Sequence, residues 1–293
     1  MQHRKIDGAL VELCAKGCKR PLDGFWARSD RRSPTLAIFV HGMHSNFYRS
    51  AFKKAFLRLL PARGIDVLSF NNRGAEHQTA DEVFEHCRFD LDSAIAFGRS
   101  RGYRRFILIG HSTGCQKALY YVRLRRPLDV QALVFAAPGD DYAIARRELG
   151  ARFSTAVRVA RRMVNQGQGR KILRLQGEPA FLGFTARRFL SIADPSRIEA
   201  RLFRFEGPMA ELGSLQIPAL VLLPEREQYA CMPVPAMAER LCALLRSPNQ
   251  HVQIVPGADH SFHGKEMDAA RRVARWLAGL GLARPRSRGS RKP

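Results

Sequence analysis

A short stretch near the middle of the chain constrains the fold more than any other feature. An apolar run at residues 106–109 is followed by Gly110-His111-Ser112-Thr113-Gly114, and then by a segment of helical character at residues 116–125. Gly-x-Ser-x-Gly between a strand and a helix is the pattern of a nucleophile elbow, a tight turn that exposes a serine hydroxyl. Because glycine has no side chain, strand and helix can approach closely on either side of the serine. The stretch therefore predicts Ser112 as a nucleophile, with the backbone N–H of Thr113 beside it.

Length and composition bound the class of protein. The 293 residues, 45% of them hydrophobic, suffice for one large α/β domain or for one domain that carries an insertion. No run of about 18 apolar residues is present, so we expect no membrane span, and the charged first 13 residues lack the apolar core of a signal peptide. Six scattered cysteines include a close pair, Cys14 and Cys18, without a matching Cys/His pair. We therefore expect no metal site, free thiols and a cytoplasmic location.

The net charge of +23 raises the question of a nucleic-acid or anionic partner. Only 9 of the 49 basic residues are lysine, however, and the arginines spread over the whole chain. There is no basic stripe interleaved with aromatic residues, no RNA-binding signature and no zinc finger. The charge therefore indicates an arginine-rich composition, and we expect no specific nucleic-acid partner beyond weak binding to anions at low salt.

Strand and helix signals alternate along the first half of the chain, which predicts a mostly parallel, twisted sheet flanked by helices on both faces. Active sites of such sheets gather at the carboxyl ends of the strands. The predicted elements are a hairpin of strands at 9–15 and 22–28, strands at 35–40, 65–70, 106–109 and 130–136, and helices at 48–60 and 79–99, the second of which begins at a Thr-Ala-Asp-Glu capping box.

The alternation stops between about residues 142 and 216, where only helical patches are found, and then resumes. Strands are predicted at 219–223 and 252–255, followed by a final amphipathic helix at 265–280. The chain therefore divides into a core of residues 1–141 and 217–280, a helical insertion of residues 142–216, and a basic tail of residues 281–293. The tail is rich in arginine, serine, proline and glycine, so we expect it to be disordered.

A serine hydroxyl is a poor nucleophile unless a base accepts its proton. The segment Pro256-Gly257-Ala258-Asp259-His260-Ser261-Phe262 follows the last predicted strand and precedes the last helix. A loop at this place can reach across to the elbow, so His260 is the predicted general base. His263, three residues further on and nearer the helix, is the competing candidate.

The base in turn needs a carboxylate that holds its tautomer and stabilises the imidazolium. Glu227, four residues past the penultimate strand, is the predicted acid. Asp140 and Asp141, which follow the preceding strand, are alternatives. Glu225 is a weaker candidate because it lies so close to the end of its strand.

An oxyanion needs two N–H donors, of which Thr113 supplies one. The second is expected from the loop after an earlier strand. His41-Gly42-Met43 ends the strand at 35–40, and Gly42 lets the backbone turn close to the site. We predict the Met43 N–H as the second donor, with the N–H of His44 as the alternative.

Four motifs follow predicted strands, namely Val40-His41-Gly42, Asn72-Arg73-Gly74, Gly110-His111-Ser112-Thr113-Gly114 and Gly257-Ala258-Asp259-His260-Ser261-Phe262. Together they resemble the motifs of the α/β-hydrolase superfamily, and the resemblance spans about residues 5–280. It implies the α/β-hydrolase fold, the chain order of serine, acid and histidine in a catalytic triad, and a helical cap over the nucleophile at residues 142–216. In the superfamily Gly-x-x-Asp commonly follows the penultimate strand, whereas Pro224-Glu225-Arg226-Glu227 stands there in this chain.

A narrower resemblance is carried by two segments, residues 108–121 and Phe189-Leu190-Ser191-Ile192-Ala193-Asp194-Pro195. They are similar to a branch of uncharacterised hydrolases that includes fungal esterases acting on hydroxamate siderophores.

The apolar side chains of the implied cap have two possible roles, to line a pocket or to pack the cap onto its base. These side chains are Phe181, Phe184, Phe189, Phe203, Phe205 and Met209.

Together these features predict a serine hydrolase that cleaves a small-molecule carboxylic ester through an acyl-enzyme, without cofactor or metal. A thioesterase, an amidase or an acyltransferase would use the same residues. A non-catalytic binding module with this fold is a further alternative, although the pairing of Ser112 with His260 argues against it.

Overall fold

The computed structural model describes residues 5–30, 32–175 and 181–284. Within these residues eight strands form one sheet, with helices on both of its faces. The strands are β1 (Gly8–Leu13), β2 (Leu22–Ala27), β3 (Thr35–Val40), β4 (Asp66–Phe70), β5 (Arg105–His111), β6 (Val130–Ala136), β7 (Ala219–Arg226) and β8 (Gln250–Asp259). The helices are α1 (Ala51–Leu59), α2 (Cys87–Ser100), α3 (Thr113–Arg125), α4 (Asp141–Leu149), α5 (Phe153–Asn165), α6 (Ala186–Ala193), α7 (Ile198–Arg201), α8 (Ala210–Gly213), α9 (Val234–Leu244) and α10 (Glu266–Gly279).

The sheet runs in the order β1-β2-β4-β3-β5-β6-β7-β8. β1 and β2 form an antiparallel hairpin, and β2 is also antiparallel to β4. From β4 onward each neighbouring pair is parallel. Every residue of β3 is buried, as expected for a strand covered on both faces. The predicted hairpin and the mostly parallel sheet are therefore confirmed, and the carboxyl ends of β3 to β8 lie along one edge of the sheet.

The chain between β6 and β7 is helical, with α4 to α8 and one isolated β-bridge between Ile172 and Thr185. Phe184 and Phe189 pack in an apolar cluster within this segment. Phe203 and Phe205 join the core beneath the sheet. Of the six apolar side chains singled out from the sequence, Phe181 alone lines the main cavity. Most of them therefore hold the helices together.

The helix predicted at residues 79–99 begins later in the structure. Two short 3₁₀ turns, Glu76–Asp81 and Phe84–His86, precede α2. The capping box does not form: the Thr79 hydroxyl has no hydrogen-bond partner within the described residues. The reason is that the Glu82 side chain is buried in an ion pair, with Oε1 2.6 Å from Lys117 Nζ, and does not cap a helix.

The expectations for the last residues of the chain fall largely outside the described part. The final helix, α10, ends at Gly279, and the described residues end at 284. The predicted disorder of the tail therefore concerns residues that the structure mostly does not describe. Among the described helices, none combines the length and apolarity that a membrane crossing requires.

Candidate active site

Ser112 lies in the sharp turn between β5 and α3. Its backbone has φ 55° and ψ −132°, and such a positive φ is unusual for a residue other than glycine. A Cβ at Gly110 would come within 2.6 Å of the Cys115 nitrogen, and a Cβ at Gly114 would overlap the Val40 carbonyl. The two glycines therefore permit the tight packing that holds Ser112 in this turn, and Ser112 lines the main cavity.

His260 and Glu227 meet because they directly follow two paired strand ends. Arg226, the last residue of β7, pairs with Asp259, the last residue of β8. Glu227 follows Arg226, and His260 follows Asp259. His260 Nδ1 lies 2.9 Å from both carboxylate oxygens of Glu227. When Glu227 is ionised its oxygens accept a hydrogen bond from Nδ1–H, which leaves Nε2 of a neutral imidazole unprotonated.

Further contacts hold the backbone of His260. The His260 N–H donates to Gln228 Oε1 at 3.2 Å, and the His260 carbonyl lies 2.8 Å from His111 Nε2. Burial lowers the pKa of His111 to about 3, and the neighbouring His260 contributes to this shift. His111 is therefore neutral, and its Nε2–H donates to the carbonyl. The Tyr229 ring packs edge-on against the imidazole, with 4.8 Å between ring centroids.

The competing histidine lies elsewhere. His263 Nδ1 binds Asp259 Oδ2 at 2.7 Å, and its side chain is 73% exposed. The hydrogen bond with Asp259 raises the pKa of His263. His260 lines the cavity together with Ser112, whereas His263 does not.

The alternative carboxylates have other partners. Asp140 caps α4 through Ala143 N–H at 2.9 Å and also accepts the Phe205 N–H at 2.9 Å. Glu225 accepts the Gly257 N–H at 2.8 Å. Asp141 lines the cavity, but its bonded oxygen faces Gln116 and Thr113. Of the four carboxylates considered, Glu227 is the one that contacts His260.

The loop after β3 passes next to Ser112. A Cβ at Gly42 would lie 2.8 Å from Ser112 Cβ and 3.2 Å from Ser112 Oγ, so only glycine allows this approach without a shift. Met43 and His44 line the same cavity as Ser112. Within the described residues neither the Met43 N–H nor the Thr113 N–H has a hydrogen-bond partner. For Thr113 this follows from its position as the first residue of α3.

Buried polar contacts position this loop. The His41 ring accepts the Asn72 N–H at Nε2, at 3.1 Å, and its Nδ1 lies 2.8 Å from the Gly42 carbonyl. Burial, with a contribution from nearby Lys117, lowers the pKa of His41 well below its usual value. The ring is therefore neutral, with its proton on Nδ1. Asn72 Nδ2 returns a hydrogen bond to the His41 carbonyl at 3.0 Å.

A chain of buried charges lies beneath the site and was not predicted from the sequence. Lys117 on α3 pairs with Glu82, and Lys117 Nζ also donates to Asn72 Oδ1 at 2.9 Å. Arg188 on α6 pairs with Glu199 on α7 and lies 4.0 Å from Glu82. All four charged side chains are 0% exposed. Nothing local distinguishes them in the sequence, since their partners are distant along the chain.

We expect Arg188→Met to destabilise the fold by about 3–5 kcal/mol, because Glu199 would be left buried without its cation. Urea unfolding followed by circular dichroism would measure the loss. Arg146→Met is the matched control: Arg146 pairs with Glu206 at the surface, where such pairs contribute about 1 kcal/mol or less. Equal unfolding midpoints for the two variants would contradict this account of the buried charges.

The main cavity has a volume of about 640 Å³ and lies between the turn that holds Ser112 and the helices that follow β6. Its walls are mainly apolar, as is typical of small-molecule sites. The cysteines are free, and within the described ranges no cluster of three or more His, Cys, Asp or Glu side chains could hold a metal ion. The apolar lining comprises Met43, Ile144, Leu149, Ala156, Leu173, Leu175, Phe181, Leu182 and Ile192.

A family model described as "Protein of unknown function (DUF1749)" matches residues 77–278, about two thirds of the chain. The chain belongs to this family. No curated protein sequence matches this DUF1749 member.

Solved structures show what fold this DUF1749 member has. It is similar to the siderophore hydrolase EstB from Aspergillus fumigatus, with 16% identity and a TM-score of 0.67 over 96% of this chain and 98% of that one. Est1E from Butyrivibrio proteoclasticus, solved with ferulic acid, has 13% identity and a TM-score of 0.65 over 92% and 98% of the two chains. An α/β serine hydrolase from Xanthomonas campestris has 15% identity and a TM-score of 0.59 over 96% and 98%. The α/β-hydrolase fold and the resemblance to a siderophore hydrolase are therefore confirmed.

Proposed function

We propose that this protein is a serine hydrolase that cleaves carboxylic esters through an acyl-enzyme. The observation that carries the proposal is the pair of 2.9 Å contacts from His260 Nδ1 to the Glu227 carboxylate, in a cavity that Ser112 also lines. A histidine oriented by a carboxylate beside an elbow serine is the arrangement that activates a hydroxyl. The structural neighbours, named as esterases and a siderophore hydrolase, favour esters over the thioesters and amides that the same residues could attack.

In the proposed mechanism Ser112 Oγ attacks the ester carbonyl while His260 Nε2 accepts the hydroxyl proton. Glu227 stabilises the imidazolium, and the N–H groups of Met43 and Thr113 bind the oxyanion. His260 then gives the proton to the leaving alkoxide, which departs as the alcohol. Water, deprotonated by His260, attacks the acyl-enzyme, and collapse of the second tetrahedral intermediate releases the acid and restores Ser112.

We also propose that residues 142–216 act as a cap on a core formed by residues 1–141 and 217–280. The support is that much of the cavity wall comes from this segment, including Ile144 and Leu149 of α4, Ala156 of α5 and Ile192 of α6. A cap that excludes water strengthens the electrostatic interactions within a site. An apolar wall also favours a small-molecule ester with apolar substituents as substrate.

Labelling with a fluorophosphonate probe tests the proposal before any substrate is known. The probe reacts covalently with activated serines, so we expect one equivalent of label, located on Ser112 by mass spectrometry of peptides. Heat-denatured protein serves as the control for nonspecific reaction. Absence of label, or label on another serine at an equal rate, would contradict the proposal.

We expect Glu227→Gln to lower kcat for p-nitrophenyl butyrate by about 10²–10⁴-fold with little change in melting temperature. The amide keeps the size of the carboxylate but removes the charge that stabilises the imidazolium. Glu225→Gln, two residues away and exposed, is the matched control and should keep its turnover. Near-normal turnover of Glu227→Gln, with collapse in Asp140→Asn or Asp141→Asn, would move the acid to the loop after β6.

A further inference from the structure

Asp141 is a buried carboxyl group in the wall of the catalytic cavity. It is the first residue of α4 and is 5% exposed, yet it lines the cavity together with Ser112. Buried carboxylates normally have a cationic partner, because an isolated charge is costly in a medium of low polarity. Among the described residues Asp141 forms no ion pair, so the mechanism proposed above leaves this group without a role.

Only one carboxyl oxygen of Asp141 forms hydrogen bonds to the residues that the structure describes. Oδ2 accepts from Gln116 Nε2 at 3.0 Å and, over a long 3.4 Å, from the Thr113 hydroxyl. Oδ1 makes no hydrogen bond to the described residues, and it is not among the enclosed polar atoms without a partner. Oδ1 therefore remains accessible for a hydrogen bond to a ligand in the cavity.

The neighbouring charges favour a neutral carboxyl group. Beneath the site the cations Lys117 and Arg188 are already balanced by the carboxylates of Glu82 and Glu199. Burial raises the pKa of Asp141, and the negative charges of Glu199 and Asp140 raise it further, while the nearby Arg188 offsets part of the rise. A neutral carboxyl group can donate one hydrogen bond and accept others, whereas it forms no ion pair with a charged substrate.

We propose that Asp141 is a specificity-determining residue that binds a hydroxyl group on the acyl part of the ester. This inference rests on the proposed serine hydrolase function. Asp141 contacts Thr113, whose N–H is a proposed oxyanion donor, so the hydroxyl would lie near the ester carbonyl. The rest of the acyl group would face apolar side chains such as Ile144 and Leu149. The substrate class is a hydroxyacyl ester whose acyl chain is otherwise apolar.

The test compares methyl butanoate with methyl 2-hydroxybutanoate and methyl 3-hydroxybutanoate, with kcat/KM measured by titration of the released acid. We expect the wild type to favour at least one hydroxy ester by about 10-fold or more, because a site built to bond a hydroxyl discriminates against its absence. Asp141→Asn keeps a donor and an acceptor and should retain most of this ratio. Asp141→Leu should lower the ratio by about 10-fold or more.

Glu206→Gln is the matched control, since Glu206 is an exposed carboxylate outside the cavity lining, and the ratio of this variant should equal that of the wild type. Circular dichroism and fluorophosphonate labelling verify that each variant is folded. An unchanged ratio in Asp141→Leu overturns the inference. If Asp141→Leu does not fold, the ratio of kcat/KM values in the wild type serves as the test. A wild type that hydrolyses the esters with a ratio near one for both hydroxy esters overturns the inference. Failure of the wild type to hydrolyse any ester contradicts the proposed function itself.

Discussion

Replacing Ser112 with alanine is expected to abolish ester hydrolysis and leave the fold intact. Ser112 is the proposed nucleophile, and removal of a triad serine typically lowers kcat by about 10⁶-fold. Alanine removes only the hydroxyl and meets the same backbone requirement as serine at φ 55°. Hydrolysis of p-nitrophenyl butyrate and fluorophosphonate labelling would both be lost, while the far-ultraviolet circular dichroism spectrum would match that of the wild type.

Ser93→Ala provides the matched control for this experiment. Ser93 is a half-buried residue of α2 outside the cavity lining, and its hydroxyl donates to the Cys14 carbonyl at 3.1 Å. Its removal should leave turnover within about twofold of the wild type. Retention of wild-type turnover by Ser112→Ala would show that another group performs the attack.

His260→Ala should lower kcat by about 1,000-fold or more, whereas His263→Ala should leave it nearly unchanged. His260 lines the cavity with Ser112 and is oriented by Glu227, so its loss removes the proposed general base. His263 is exposed and binds Asp259, a surface pair of the kind that contributes about 1 kcal/mol or less to stability. The two kcat values, measured on the same ester at the same pH, give the comparison.

The comparison of His260→Ala with His263→Ala is stringent because the two residues lie three positions apart in the same loop. A general disturbance of the loop after β8 would affect both variants alike. A larger loss in His263→Ala would reverse the assignment of the base. Equal losses would instead indicate that the loop conformation matters more than either imidazole.

Local patterns in the sequence were sufficient to predict the architecture. The apolar run of β3 predicted a strand buried on both faces, and all of its residues are buried. The glycines on either side of Ser112 predicted a close approach of strand and helix, and a Cβ at Gly110 would indeed collide with the backbone of α3. Such features depend on neighbours along the chain, so they can be recognised without the fold.

Contacts between distant residues could not be predicted in the same way. Glu82 resembled the last residue of a capping box, but its carboxylate is buried against Lys117, 35 positions further along the chain. Nothing in the sequence distinguishes Arg188 from the other arginines, and only the structure shows that it is buried and paired with Glu199. In each case a charged side chain is buried, and the partner that makes this burial tolerable lies on a helix to which the residue itself does not belong.

The candidate site shows the same division. The sequence by itself determined that Ser112, a glycine-containing loop and a histidine loop each follow a strand of the sheet, because strand ends and turns are encoded locally. Only the tertiary structure decided which carboxylate contacts His260. Glu227 does so because Arg226 pairs with Asp259 across β7 and β8, which places the next residue of each strand side by side. Asp140, an alternative to Glu227 in the sequence, instead caps α4.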